Sequence, residues 1–482
     1  MTRTLHAGAA RRAINPLLGT GKAGLRLFGS PIQAIESDLT ATVLVLGDGE
    51  TKVAVIATDL CMTSMAEADR LRASVAEALA VPMAHVLLNF SHNHSAPALP
   101  EFMAMTDTPE DAWFRVRYEH DLTRWLVEAA QEADACLQPA RVGCAWGESS
   151  IGVYRRELRD GRDVLGEVPY HPIDTSVGVI RVDDLDERPI ATVFRYSAHP
   201  VTVGSRSQVA SPDYPGPARD VVEQNLGGMA LFLQGCGGNV NPRVGIGWEV
   251  DCSDTKNRVG TELGGEALKV AATIRTGTRA GERRPLGNVP NILFTPWERI
   301  EGTETCTHLA AAESTVALEY DTLPSREEAQ AILAHWQRTA AERREGDALD
   351  WEIRAAQKYE HWARKLVAAV EDGHPTHELR LQAIRVNDVV LCALNMEVFF
   401  ETGLEIRERS PLPDTFVLGY SNGLFGYLPR AEDYPEGGWR IDESYAVPDL
   451  IPQAWGMPVI LHPDSAHRAA DARVELIRGF SF

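Results

Sequence analysis

Val86-Leu87-Leu88-Asn89-Phe90-Ser91-His92-Asn93-His94-Ser95-Ala96-Pro97 is the stretch that decides the architecture. Its first five residues form a short apolar run that breaks into polar residues and proline, the mark of a buried strand. Just upstream, Val53–Ala57 reads as a strand and Glu67–Leu79 as a helix. Just downstream, Phe114, Tyr118, Leu122, Trp125 and Ala129 recur at three- and four-residue steps and predict a longer helix. Val177–Val182, Thr192–Tyr196 and Met229–Gln234 look like further strands of a buried sheet. Short apolar runs alternating with helical patterns indicate an α/β or α+β protein.

The remainder fits that frame. Residues 280–305 are rich in Gly, Pro and Arg and read as a surface connection. An αα-hairpin follows: Ser325-Arg326-Glu327-Glu328 is a capping box opening a helix that ends near Gly346, and a second helix runs from about Asp347 to Glu371. Leu379–Val386 and Val389–Leu394, separated by Asn387-Asp388, predict a β-hairpin. A helix to about Arg409, a strand at Thr415–Gly419 and a loop rich in Gly, Tyr and Trp complete the pattern. With no repeat and no linker, the reading is one domain over 1–482, with a helical subdomain at about 325–372.

Composition narrows the functional classes. The chain has 482 residues, 44% hydrophobic and 24% charged, which excludes a disordered or fibrous polymer. A net charge of −21 disfavours nucleic acid and anionic membrane surfaces as partners, since both reward Lys/Arg patches. No apolar run approaches a bilayer span, and the first dozen residues lack a secretory apolar stretch. The seven cysteines include no CxxC pair, so neither a disulfide framework nor a cysteine zinc knuckle is indicated. The expectation is a cytoplasmic protein acting on a small-molecule substrate, with homo-oligomerisation left open.

Several strand ends carry chemistry. His92 and His94, two apart after a strand, can face one side of an extended segment and meet one cation or substrate. The alternative is a pair of surface-loop histidines. His199 in Ser197-Ala198-His199-Pro200 ends another apolar strand, where a satisfied polar residue is the commoner case. Glu397 precedes a helix, which suits a metal ligand or plain N-terminal electrostatics. Gln234-Gly235-Cys236-Gly237-Gly238-Asn239-Val240-Asn241-Pro242 is a strand followed by a glycine-rich loop whose amides can approach an oxyanion. Cys236 reads as a small packed residue rather than a nucleophile. The loop lacks the ending of a phosphate-binding loop, and no GxSxG elbow occurs. Two imidazoles and a carboxylate would make three ligands of a catalytic zinc with one position open.

These motifs, in this order, resemble the neutral (non-lysosomal) ceramidase family, specifically its N-terminal catalytic domain, over nearly the whole chain. The resemblance also rests on Ala7-Gly8-Ala9-Ala10-Arg11-Arg12-Ala13-Ile14-Asn15-Pro16, on Asp59, on Asn395-Met396-Glu397 and on Tyr420-Ser421-Asn422-Gly423-Leu424-Phe425-Gly426-Tyr427. It implies an α/β fold of mixed β-sheets covered by helices, and Zn2+ held by His92, His199, Glu397 and Tyr427. It implies His94 as proton donor and an arginine that falls best on Arg155, with Arg156 nearly as good. Gly237 stands where ceramidases often carry a serine, so a covalent serine mechanism is not expected. Trp439 stands where the family has a further tyrosine, so one hydroxyl near the oxyanion is expected to be missing. A secretion signal and the family's immunoglobulin-like C-terminal domain are not found in the sequence, which makes ceramide itself a poor substrate candidate.

The expected reaction is zinc-dependent amide hydrolysis. Zinc lowers the pKa of its water from about 15.7 to roughly 7. The resulting nucleophile would attack a carbonyl, with Arg155 or amides near Gly237 holding the oxyanion and His94 protonating the departing nitrogen. Two alternatives stay open: a lactonase or esterase acting on a polar, sugar-derived substrate with the same metal site, and a non-catalytic relic that binds zinc or a small ligand.

Overall fold

A computed structural model of the chain describes residues 3–23, 31–97, 99, 109–160, 162–204, 206–247, 250–436 and 457–480. Its larger sheet runs, edge to edge, Met229–Gln234, Pro189–Tyr196, Ser176–Asp184, Gln138–Glu148, His6–Ala13, Thr40–Gly47, Lys52–Thr58, Val86–Phe90. The pair at each edge is parallel and the remaining pairs are antiparallel. A parallel pair needs a crossover. Helix Met65–Leu79 supplies one, between Lys52–Thr58 and Val86–Phe90, and helix Pro215–Leu226 supplies the other, before Met229–Gln234. The first of these helices starts on a capping box in which Ser64 and Glu67 satisfy each other's amides.

A second sheet runs Leu309–Glu319, Thr376–Val386, Val389–Leu394, Asp414–Leu418, the last pair parallel. Strand alternation explains how the sheets pack. In Thr40–Gly47, Val43 and Val45 face helices Met65–Leu79 and Pro109–Ala135, while Leu44 and Leu46 face the other way. There they meet Ile384, Val386, Leu391 and Phe416 of the second sheet in one apolar layer. Helices Phe400–Arg409 and Ser465–Arg478 pack against the second sheet's own strands, and Pro215–Leu226 and Ser253–Ala271 cover the far end of the first. The result is two sheets between helical layers, the mixed α/β arrangement expected. The αα-hairpin, Arg326–Glu345 and Asp350–Asp372, interrupts the second sheet and has its own small core around Trp362, Ala363 and Leu366.

One expectation is corrected. Residues 280–305 are not merely a connection. They include Arg284–Leu286 paired with Val289–Phe294, and Trp297–Arg299 paired with Thr278–Ala280. Those strands are exposed, so no apolar alternation marked them. Among the described residues, no helix is long and apolar enough to cross a membrane.

The first sheet curls until its two edges meet, and Asn89 marks the junction. Its Oδ1 accepts from the Gln234 amide at 2.8 Å, across the gap between the edge strands. Its Nδ2 donates to Gly419 O and to Ser421 Oγ, both at 3.0 Å, at the end of the second sheet. Both parallel pairs therefore point their C-terminal ends at one place, where open α/β sheets put their sites.

Candidate metal centre

His92 follows the edge strand with φ 62°, a left-handed conformation that side-chain-bearing residues seldom adopt. The segment is therefore not the extended run expected. The backbone turns at His92, and the turned segment sets His94 Nε2 3.2 Å from His92 Nε2. Local bonds hold the turn: the His92 and Asn93 amides both donate to Leu60 O, at 3.0 and 3.3 Å. Asn93 Nδ2 donates to Asp59 O and Ser211 O, at 3.2 and 2.6 Å. Arg219 in turn clamps the Asp59 carboxylate with two bonds of 2.6 and 2.7 Å.

His199 arrives from the end of Pro189–Tyr196, its amide bonded to Val240 O at 3.0 Å. Glu397 lies in the two-residue strand Glu397–Val398, paired in parallel with Tyr427–Leu428 so that Glu397 sits directly opposite Tyr427. The helix begins only at Phe400, so strand pairing places the carboxylate, not a helix N-terminus as the sequence suggested.

The three acceptors converge. His199 Nε2 lies 3.1 Å and His92 Nε2 3.4 Å from Glu397 Oε2. Backbone carbonyls fix both tautomers: His199 Nδ1 donates to Gly237 O at 2.8 Å, and His92 Nδ1 to Cys61 O at 3.1 Å. Each imidazole thus presents a bare Nε2 to a carboxylate oxygen, to which the Tyr420 hydroxyl donates at 3.3 Å. Glu397 Oε1 is buried and has no hydrogen-bond partner among the described residues. Such a set repels itself unless a cation sits within it, and it fits a divalent ion. His92, His199 and Glu397 form one candidate ligand group, and Cys61, His92 and His94 form an overlapping second.

Burial, chiefly, holds the pKa values of His92, His94 and His199 well below the usual imidazole value. For His94 the charges of His199, Arg155 and Lys22 add to it. Neutral imidazole is the metal-binding form. Burial raises Glu397, against the opposing pull of His92, Arg155 and the hydroxyls of Tyr427 and Tyr420.

The strand Gly152–Arg159 separates the two arginines left open by the sequence. Arg155 donates from Nη2 to Tyr427 Oη at 2.8 Å and from Nη1 to Asn241 Oδ1 at 3.3 Å. Arg156, on the opposite strand face, pairs with Asp163 at 2.8 Å and Glu436 at 2.9 Å, away from the histidines. Gly237 requires correction as an oxyanion donor. Its amide donates to Gly235 O at 3.1 Å and that of Gly238 to Val398 O at 2.9 Å, so neither is free. What Gly237 gives the site is its carbonyl, the acceptor that orients His199. Burial pushes the Cys236 thiol up to about 12, consistent with a packed residue. Trp439 lies outside the described residues. Tyr420 was quoted only as part of a motif, yet its hydroxyl donates to Glu397 Oε2 at 3.3 Å. A lone tyrosine at a strand end carries no sequence signal beyond its neighbours.

The fold, a mixed α/β arrangement, is similar to that of neutral ceramidases of known structure. The chain is similar to the crystal structure of neutral ceramidase from Pseudomonas aeruginosa, with a TM-score of 0.65 and 16% identity over 98% of this chain and 74% of that one. A ceramidase complexed with C2 gives 0.65 and 14%, over 98% and 75%. In sequence, Neutral ceramidase B of Dictyostelium discoideum is 22% identical over 33% of this chain, a stretch spanning 24% of that protein's length. No family model matches the sequence.

Proposed function

We propose that the chain is a zinc-dependent hydrolase that cleaves the acyl–nitrogen bond of a small amide, with His92, His199, Glu397 and Tyr427 holding the ion. The observation that carries this reading is the meeting of two bare imidazole nitrogens and a carboxylate oxygen beside an arginine and a further histidine. The mixture of imidazole and carboxylate favours zinc among divalent metals. The fold likeness to ceramidases favours an amide over an ester.

A zinc ion bound there supplies Lewis acidity for a carbonyl and a water acidic enough to ionise near neutral pH. The protein does the rest. Arg155, positively charged at all working pH values, holds the Tyr427 hydroxyl and sets a fixed cation where an oxyanion develops. His94, kept neutral by burial and neighbouring cations, can take a proton on Nε2 and return it to the departing nitrogen. An amine leaving group needs that proton more than an alkoxide does.

The test offers purified enzyme matched amide, ester and lactone substrates, before and after chelation. Amide turnover lost on chelation, restored by zinc and reduced about 10²–10⁴-fold in His94→Ala is expected. Full activity after metal removal would end the metal reading. Preference for oxygen leaving groups, with little loss in His94→Ala, would replace amidase by esterase or lactonase.

A further inference from the structure

Tyr420 touches more of the centre than any role so far described explains. It is fully buried and, at φ 51°, held in the left-handed region. Its hydroxyl donates to Glu397 Oε2 at 3.3 Å, and its ring lies 4.4 Å, centroid to centroid, from that of His92. It meets the His199 ring edge-on at 6.0 Å. Its backbone joins the same segments: the Phe90 amide donates to Tyr420 O at 3.0 Å, and the Tyr420 amide to Met396 O at 3.1 Å. One residue thus bonds the segment carrying His92, the segment carrying Glu397 and the Glu397 side chain itself. A leucine or phenylalanine would fill the same space without gripping the carboxylate.

We propose that Tyr420 is a positioning residue of the centre. Its hydroxyl holds Glu397 in one orientation and its ring backs His92, so that the acceptors are aligned before the ion arrives. This rests on the metal reading above. Hydrogen bonds of this outer kind typically alter metal affinity by about 10–100-fold.

The test compares wild type with Tyr420→Phe, which keeps the ring and deletes the hydroxyl. Zinc affinity is measured by competition with a chromophoric chelator, and ligand geometry by the visible spectrum of the cobalt(II)-substituted protein. The expected result is zinc binding weakened by about 10–100-fold and an altered cobalt spectrum. In a Glu397→Ala background the same change has little further effect, because the hydroxyl has lost its acceptor. Wild-type affinity and spectrum in Tyr420→Phe overturn the proposal. An equal further loss in the Glu397→Ala background also overturns it, since a general packing defect would act regardless of Glu397. If wild type itself takes up no zinc and His199→Ala changes nothing, it is the metal reading that fails, a distinguishable outcome.

Discussion

Arg155 and Arg156 are chain neighbours with opposite surroundings, because successive side chains of a strand leave opposite faces. Arg155 faces Tyr427 and Asn241, and Arg156 faces Asp163 and Glu436. Their substitutions should therefore fail in different assays. Arg155→Lys keeps the charge but loses the planar fork; amide kcat/KM should fall about 10²–10³-fold per folded, metal-loaded molecule. Arg156→Ala strands the buried Asp163 carboxylate and should cost about 3–5 kcal/mol in denaturant unfolding, with turnover per folded molecule retained. Swapped phenotypes would refute the assignment. At this scale the sequence was legible where residue type and position coincide. His92 and His199 follow the ends of apolar strands, Glu397 comes shortly after Val389–Leu394, and the structure brings the three together. The sequence favours Arg155 over Arg156 only narrowly, because the choice is one of strand phase. The Gly237 amide was misjudged because a glycine-rich loop can use its amides internally, as this one does.

Strand Thr376–Val386 carries a titrating group outside the site. His377 is buried, stacks on Phe425 at 4.1 Å, and its Nε2 has no partner among the described residues. Burial lowers its pKa from 6.5 to about 4. The unfolded chain therefore binds the proton more readily than the folded one between these values. Stability from this residue is complete above pH 6.5 and lost as pH falls toward 4, by up to about 3 kcal/mol. His377→Phe keeps the stack and removes the titration, so unfolding free energies measured across that window should decline less steeply than in wild type. Parallel declines would refute this. Elements as a class were read well where burial is continuous: Val86–Phe90 and Met229–Gln234 match the expected bounds, and the Ser325–Glu328 capping box is present. The exposed ribbons within 280–305 escaped notice because Val289–Phe294 buries almost nothing and so displays no alternation.

The whole molecule depends on the meeting of sheet edges at Asn89, which no local pattern foretells, since the partners Gln234, Gly419 and Ser421 come from remote segments. Asn89→Leu is nearly isosteric but leaves the buried Gln234 amide without its acceptor. It should cost about 1–3 kcal/mol in denaturant unfolding, with an unchanged dependence on denaturant if the global fold persists. A neutral result would show that the junction is held by other contacts. That long-range closure also explains why the neighbours with similar folds can share so few residues: layer packing tolerates substitution where volume and alternation persist. It has a consequence for birth as well as for structure. A chain emerging from the ribosome displays His92 and His199 well before Glu397, Tyr420 and Tyr427, and folding proceeds from the N-terminal end. A nascent chain thus has two imidazoles with no carboxylate to face them until residue 397 has emerged, and an ion that needs all three acceptors has no complete site before then.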